Sequence, residues 1–358
     1  RRIIARLKEG YNLTREALQE MMPYLTRFME QVRDGVIKLG LEDRSDRVNE
    51  EVESDFSIQY SPKSNAFFSV GTLTPRNMQD AITEALNELE ERVGDIDRYV
   101  ANKLGYTLEE MAGTDEPGYF SAEQIDALAL AIDNVESGGG FIIGDQTGVG
   151  KGRVVAGMIV YAIKNGRVPI FITKDKALYK AMVEDFRDIG RGDLVDRIYV
   201  TNNDLTGKDA LPLSDDPLDK LTSLPAQRQT DVLDAIRAGG RLPPEYDVVF
   251  TNYSQLQYTR GVINPRMTAL RELAHGSIIV MDESHEAAGS ETRTIDKETG
   301  EPIPTRSDYI KEILGTAQGA VYSSATYAKN PHSMSLYFRT DISLAVDDVT
   351  QLTDAIKA

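Results

Sequence analysis

The stretch "FIIGDQTGVGKGRVVAGMIVYAI", residues 141–163, decides the fold. An apolar run, a glycine-rich turn, a lysine and a second apolar run at helical spacing spell strand, phosphate-binding turn and helix. Glycines let backbone N–H groups converge on an anion, the helix N-terminus adds its positive end, and the lysine reaches the outer phosphates. Two positions depart from the generic loop. Asp145 stands where its first Gly is expected, and Gly152 stands where a Ser or Thr hydroxyl ordinarily ligates the Mg2+ of Mg-ATP. The chain is therefore an ATPase with an altered loop, a relic of one, or neither.

Working outward, helices alternate with short apolar strands from Tyr119 onward. "SAEQIDALALAIDNV" is a helix with Ser121 as cap and Gln124 placed for a capping box. The helix after Lys151 stops at Gly166, and "DKALYKAMVEDFRDIG" is a helix stopping at Gly190. "VPIFITK", "DRIYVTN", "YDVVFTNYS", "SIIVMDES" and "GAVYSSAT" read as strands, and "NPRMTALRELAHG" as a helix. Continuously apolar strands alternating with helices predict an α/β fold, a parallel sheet with helices on both faces. Residues 203–245, rich in Asp, Pro and Leu, read as an insertion with one helix near 225–238, and 286–306 as a mobile polar loop.

The first 115 residues have a different texture, that of a mainly α-helical N-terminal region with an extended linker. Leu25, Phe28, Met29, Val32, Val36 and Leu39 fall near helical spacing. "QYSPKSNAFFSVGTLTPRNM" reads as extended loop. Thr74 and Pro75 then suit the cap and first position of a helix whose apolar face is Ala81, Ile82, Ala85, Leu86, Leu89 and Val93. "DIDRYVANKLGY" continues as another helix after Gly94. Domain organisation is thus 1–115 helical, 116–340 nucleotide-binding, and 341–358 the start of a connection.

Composition narrows the function classes. The 358 residues carry 40 basic and 57 acidic side chains, net −17, the opposite of a dedicated nucleic-acid coat. Any contact with DNA is then a local patch or groove. No cysteines and three histidines exclude a disulfide framework and Cys-based zinc, and fit a reducing compartment. No uncharged apolar run approaches the ~18 residues of a membrane span, and no signal-peptide pattern opens the chain. Opening on Arg1 and closing on "TQLTDAIKA", it reads as a soluble, intracellular segment of something longer.

A second chemical signal is "SIIVMDESH", residues 277–285. A buried strand ending in two acids sets Asp282 at the carboxyl end of the sheet, where α/β ligand sites form. One carboxylate can organise Mg2+, and the next, Glu283, can orient or deprotonate the attacking water.

"DQTGVGK" and "DESH" together resemble motif I and the D-E-x-H box of superfamily 2 helicases. Gln124 matches their adenine-recognising Q-motif glutamine, and "SSAT", residues 323–326, their motif III. "GDQTGVGKGRVVAGMI", "AMVEDFRDIG", "VVFTNYSQL", "IIVMDESHEA" and "VYSSATYAKNPHSMSLY" as a set resemble the Strawberry-notch type helicases, which share the G-K-G-R loop. "YSPKSNAFFSVGTLTPRNMQDAITEAL" and "EQIDALALAI" are similar to the phage and plasmid branch, including the large DarB-type antirestriction proteins, which join such a helicase to an adenine-N6 methyltransferase.

The resemblance implies a RecA-like P-loop NTPase domain with ATP and Mg2+ as cofactors. Lys151 and the loop Thr147, Gly148, Val149, Gly150, Gly152 and Arg153 would hold ATP, with Gln124 at the adenine. Asp282 would organise Mg2+, Glu283 would activate water, and His285, Ser324 and Thr326 would couple nucleotide to nucleic acid. Thr173, Lys174 and Lys176 match the position of motif Ia, and Thr251, Asn252 and Tyr253 a motif Ib-like strand end; for these six a DNA contact and a structural role both stand open.

The implied whole is an ATP-dependent translocase on double-stranded DNA, from a large phage or mobile-element protein with an antirestriction role. It would act in the bacterial host cytoplasm and be carried in the virion beside other phage virion proteins. The arginine finger would lie in a second RecA-like domain, for which nothing after Arg339 leaves room, so the segment alone hydrolyses ATP poorly. "LPPEY", residues 242–246, has the wrong first and fourth residues for a methyltransferase signature, so a methyltransferase domain would lie elsewhere in the polypeptide. The competing readings are a virion-carried or ejected structural or interaction protein with an inactive NTPase fold, and a regulatory NTP switch without translocation.

Overall fold

The computed structural model describes residues 57–144, 150–258, 261–288, 295, 302–324 and 334–340. The helix expected between Leu25 and Leu39 lies outside these residues. The described chain divides into a small unit, 57–61 with 71–82, and a large one made of 62–70 and the part from 83 onward.

In the small unit β1 (Ser57–Gln59) pairs antiparallel with β2 (Leu73–Pro75), and the Tyr60 amide extends the hairpin by donating to the Thr72 carbonyl at 2.8 Å. This corrects the expected helix start. Thr74 and Pro75 are the strand partners of Ile58 and Ser57, and helix α1 (Arg76–Val93) begins only after them. Pro75 has no N–H to lose at the end of an edge strand, so the ladder tolerates it.

The large unit is built on one six-stranded parallel sheet. Its strands are β3 (Gly140–Ile143), β4 (Pro169–Thr173), β5 (Ile198–Val200), β8 (Val248–Asn252), β9 (Ile278–Asp282) and β10 (Gly319–Ser323), in the order β3-β10-β9-β4-β8-β5. Every residue of β4, β8 and β10 is buried, so both faces are covered, as their unbroken apolar runs require. One group of helices packs α2 (Ile96–Leu104), α4 (Ala122–Glu136), α5 (Lys151–Lys164) and α6 (Leu178–Asp188) together, with α4 on β3 and β10 and α5 on β4, β9 and β10. The second group packs α7 (Ala226–Gly239), α8 (Pro265–Ala274) and α9 (Arg306–Thr316). Short α3 (Leu108–Ala112) precedes α4.

Local chemistry explains the boundaries. The capping box of α4 forms as its sequence requires, with the Ser121 side chain on the Gln124 N–H and the Gln124 side chain on the Ser121 N–H. Asn264 caps α8 with Pro265 in its first turn. The 203–245 insertion holds a two-stranded hairpin, β6 (Leu211–Pro212) with β7 (Lys220–Leu221), that its Asp- and Pro-rich composition conceals, as well as the expected helix α7. Gln229 of α7 fastens the insertion to the sheet by donating to the carbonyl of Thr201 at 3.0 Å. Helix α9 starts at the end of the polar loop, on a Thr305–Asp308 capping box not anticipated from the sequence.

Two clusters fix the frame. Phe250 of β8 lies 4.9 Å from Phe171 of β4 and 5.2 Å from Tyr179 of α6 between ring centroids, locking α6 to the sheet centre. At the amino ends of the strands, the Arg339 guanidinium donates to the carbonyls of Gly138, Leu314, Ala317 and Gln318, and its own carbonyl accepts from the Gly140 N–H at 2.7 Å. No helix among the described residues is long and apolar enough to cross a membrane.

The aromatic cluster predicts that Phe250→Ala costs about 3–5 kcal/mol, the usual cost of a buried Phe truncation. Urea unfolding monitored by far-UV circular dichroism will show the lowered midpoint; an unchanged midpoint would mean that the cluster does not anchor α6.

Candidate nucleotide-binding site

The strands of the six-stranded sheet are all parallel, so their carboxyl ends share one edge, where the chemistry-bearing residues collect. Asp145–Val149 lie outside the described residues, and with them Thr147, Gly148 and Val149; so does Thr326. What is described of the loop is its exit into α5. Gly150 has φ 77°, and a Cβ built there would sit 2.3 Å from Gln124 Nε2. Only glycine satisfies both the left-handed backbone and that approach. Gln124 is 5% exposed; its amide nitrogen donates to the Gly150 carbonyl at 3.2 Å while its oxygen accepts from the Ser121 N–H at 3.0 Å. Both ends of the amide are thus engaged with the protein's own backbone, tying the cap of α4 to the loop.

Gly152 is constrained from the other side. A Cβ there would lie 2.0 Å from Asp185 Oδ2 and 2.7 Å from its Cγ, so any larger residue must displace the α6 carboxylate. Arg153, the next residue, turns its guanidinium toward α6, donating to Asp188 at 2.9 Å and to the Tyr119 carbonyl at 3.4 Å. The "GKGR" and "FRDIG" stretches therefore interlock. Burial pushes the Asp185 carboxyl up to about 7; the charges of Asp188, Glu184 and Asp282 add to this and Arg153 opposes it.

At the end of β9, Asp282 Oδ2 accepts from the Thr173 hydroxyl at 2.9 Å, and the Tyr253 hydroxyl donates to the Asp282 backbone carbonyl at 2.9 Å. Burial raises the Asp282 carboxyl, Glu283 raises it further, and the Thr173 hydrogen bond and the Lys151 charge pull it down. Glu283 is, among the described residues, the one non-glycine with positive φ, at 47°. Backbone strain of this kind collects at functional sites. Its side chain, 44% exposed, brings Oε2 to 3.4 Å from His285 Nδ1, and the same His285 nitrogen is 2.8 Å from Ser324 Oγ at the end of β10. Ser284 meets the Tyr337 hydroxyl at 3.0 Å.

The six motif Ia- and Ib-like residues separate by exposure. Thr173 and Thr251 are fully buried, Thr251 accepting from the Thr201 hydroxyl at 2.8 Å, and Tyr253 is 2% exposed. Asn252, 6% exposed, accepts from the Ser254 hydroxyl at 3.0 Å. Lys174 and Lys176 reach the surface, paired with Glu286 at 2.9 Å and Asp204 at 2.6 Å. Thr173 and Tyr253 thus stand as positioning groups around Asp282, a role that their sequence motifs did not signal. Asp185 was also missed, because only the packing of α6 against α5 brings it to the loop.

These residues fit a nucleotide and its metal. Lys151 and the first-turn amides of α5 would hold phosphate, and Asp282 would hold Mg2+. Among the described residues no three His, Asp or Glu gather to bind a metal by themselves, so phosphate oxygens and water would complete the shell, as Mg2+ ordinarily requires.

Comparison with known proteins agrees with this geometry. The profile of the family described as P-loop containing NTP hydrolase pore-1 matches residues 99–357. Human Protein strawberry notch homolog 1 is 27% identical over 246 residues, covering 64% of this chain and 15% of that protein. Human Protein strawberry notch homolog 2 is 28% identical over 251 residues, covering 67% and 15%. Drosophila melanogaster Protein strawberry notch is 27% identical over 252 residues, covering 66% and 13%. The matched stretch is thus a small part of each relative.

The Asp185 environment sets a pH dependence. Its folded value of about 7 lies above the ordinary 3.8, so ionisation destabilises the fold: the penalty is absent below the ordinary value and complete above the raised one. Asp185→Asn will therefore raise the thermal midpoint of the nucleotide- and metal-free protein at pH ~8 and leave it nearly unchanged at pH ~4. Equal shifts at both pH values would contradict this assignment.

Proposed function

The chain belongs to the P-loop containing NTP hydrolase pore-1 family, and on that premise we propose that it is the ATP-binding motor domain of a DNA translocase or helicase. The observation that carries the reading is the convergence of Lys151, Asp282 and Glu283 at one sheet edge, with the Lys151 charge acting on Asp282 and Glu283 held in a left-handed conformation.

Each residue then has a task. Lys151 and the amides of the first turn of α5 bind the β- and γ-phosphates. Thr173 and Tyr253 hold Asp282 in place from its side chain and its backbone, so that it meets Mg2+ in a fixed orientation. When bound, Mg2+ would supply neutralisation of the phosphate charge, held on the protein side by Asp282. Glu283 takes a proton from the attacking water, its aim set by the backbone turn at the strand end. His285 bridges Glu283 to Ser324, so that a change at the γ-phosphate is felt at the end of β10. That linkage supports a coupling role for the pair.

The finer reading rests on resemblance. Double-stranded DNA as track, a second RecA-like domain supplying the arginine finger, and a methyltransferase domain in the same polypeptide are what the DarB-like N-terminal stretch supports. So are an origin in a phage or mobile element, an antirestriction role, and passage from virion to host cytoplasm. The surface lysines Lys174 and Lys176 are suited to a nucleic-acid backbone, provided that their acidic partners Glu286 and Asp204 yield.

In the full-length protein ATP hydrolysis will be stimulated by DNA. Glu283→Gln will keep ATP binding and lose roughly 100-fold or more in turnover, and Lys151→Ala will lose ATP binding itself. Substantial residual hydrolysis in either variant would refute the site. Hydrolysis indifferent to DNA would favour a regulatory switch over a motor, and no binding of Mg-ATP would favour a structural module.

A further inference from the structure

We propose that Asp185, reaching across from α6, supplies the oxygen ligand to the nucleotide's Mg2+ that Gly152 cannot supply. This rests on the nucleotide-site reading above and adds a residue to it.

The first ground is volume. In a loop with Ser or Thr after the lysine, the hydroxyl hangs from a Cβ at this position; here that Cβ would fall 2.0 Å from Asp185 Oδ2, 2.7 Å from Cγ and 2.9 Å from Oδ1. The carboxylate fills the space of the absent side chain, with its two oxygens 2.0 and 2.9 Å from where that Cβ would stand. The second ground is proximity: the Asp282 charge acts on Asp185, and the Lys151 charge acts on Asp282.

A third ground is the lack of any other employment. The Asp185 side chain accepts no hydrogen bond and forms no ion pair among the described residues, although Arg153 is close enough to influence it. Arg153 instead pairs with Asp188, one turn further along α6, and this latch together with buried Met182, Val183 and Phe186 holds Asp185 in position. A carboxylate to which the described residues give no donor is available to a divalent cation. The chemistry also matches. Mg2+ takes hard oxygen ligands and is commonly bound by one or two carboxylates with phosphate oxygens and water completing the octahedron. Asp185 and Asp282 make two.

The test is Mn2+ binding to the full-length protein with ADP, followed by electron paramagnetic resonance, beside metal-free binding of a fluorescent ADP analogue. Asp185→Asn is expected to weaken Mn2+ binding by at least the ~10–100-fold that loss of an outer-shell partner costs, with metal-free ADP affinity unchanged. Gly152→Ser alone will also weaken Mn2+ binding, because the new side chain meets Asp185. Gly152→Ser combined with Asp185→Ala rebuilds a hydroxyl in cleared space and will recover Mn2+ affinity. Unchanged Mn2+ affinity in Asp185→Asn overturns the proposal, as does a double variant that folds, binds ADP and recovers none of it. If wild-type protein binds no ADP even without metal, the nucleotide reading itself fails, and this inference falls with it.

Discussion

No side chain stands on either side of Lys151 at the start of α5, and the candidate site depends on that bareness. Gly150 and Gly152 flank Lys151, and each is met by a polar group from a neighbouring helix: Gln124 of α4 at the first, Asp185 of α6 at the second. A methyl group at either position would collide with the neighbour. Both helices can therefore press against the candidate phosphate-binding turn, one through a hydrogen bond to the Gly150 carbonyl and the other through a carboxylate. Lys151 is then presented from a turn held on two sides, so less ordering remains to be done when a ligand arrives.

The other half of the site is arranged around Asp282. In a loop with Ser or Thr after the lysine, that hydroxyl is available to the acidic strand end. Here the hydroxyl on Asp282 comes from Thr173 of the adjacent strand β4, and a second one, from Tyr253, holds the backbone of the same residue. Positioning has moved from loop to sheet. Because β4 and β9 are paired in register through Met281 and Ile172, the distance between Thr173 and Asp282 is fixed by the sheet and not by a flexible turn.

Much of this was legible in the sequence, and the reason is physical. Strands covered on both faces need unbroken apolar runs, so "PIFIT", "VVFTN" and "GAVYS" announce themselves; the capping box of α4 and the Pro265 start of α8 are equally local signals. What stayed hidden depends on tertiary approach. Asp185 is an ordinary acid on an amphipathic helix until α6 packs on α5, and Thr173 reads as a strand-end residue open to either a DNA contact or a structural role until β9 lies beside it. The β6–β7 hairpin escaped because each strand has only two residues, too short for alternation to register. Pro75 misled because a proline suits both the first turn of a helix and the end of an edge strand, and only pairing with Ser57 decides between them.

Arg339 has a mechanical consequence. Its guanidinium gathers carbonyls from the segments that lead into β3 and β10, and its own carbonyl holds the Gly140 amide, all at the sheet end opposite the phosphate-binding turn. A load applied at Thr340 would meet this staple first, spread over several hydrogen bonds. From there it runs along β3 and β10 in the direction of their axes, the stiffest direction of a parallel sheet, to the strand ends that carry the loop and Ser324. The domain is thus fastened at one end of the sheet and carries the candidate site at the other, with the strands between them as struts.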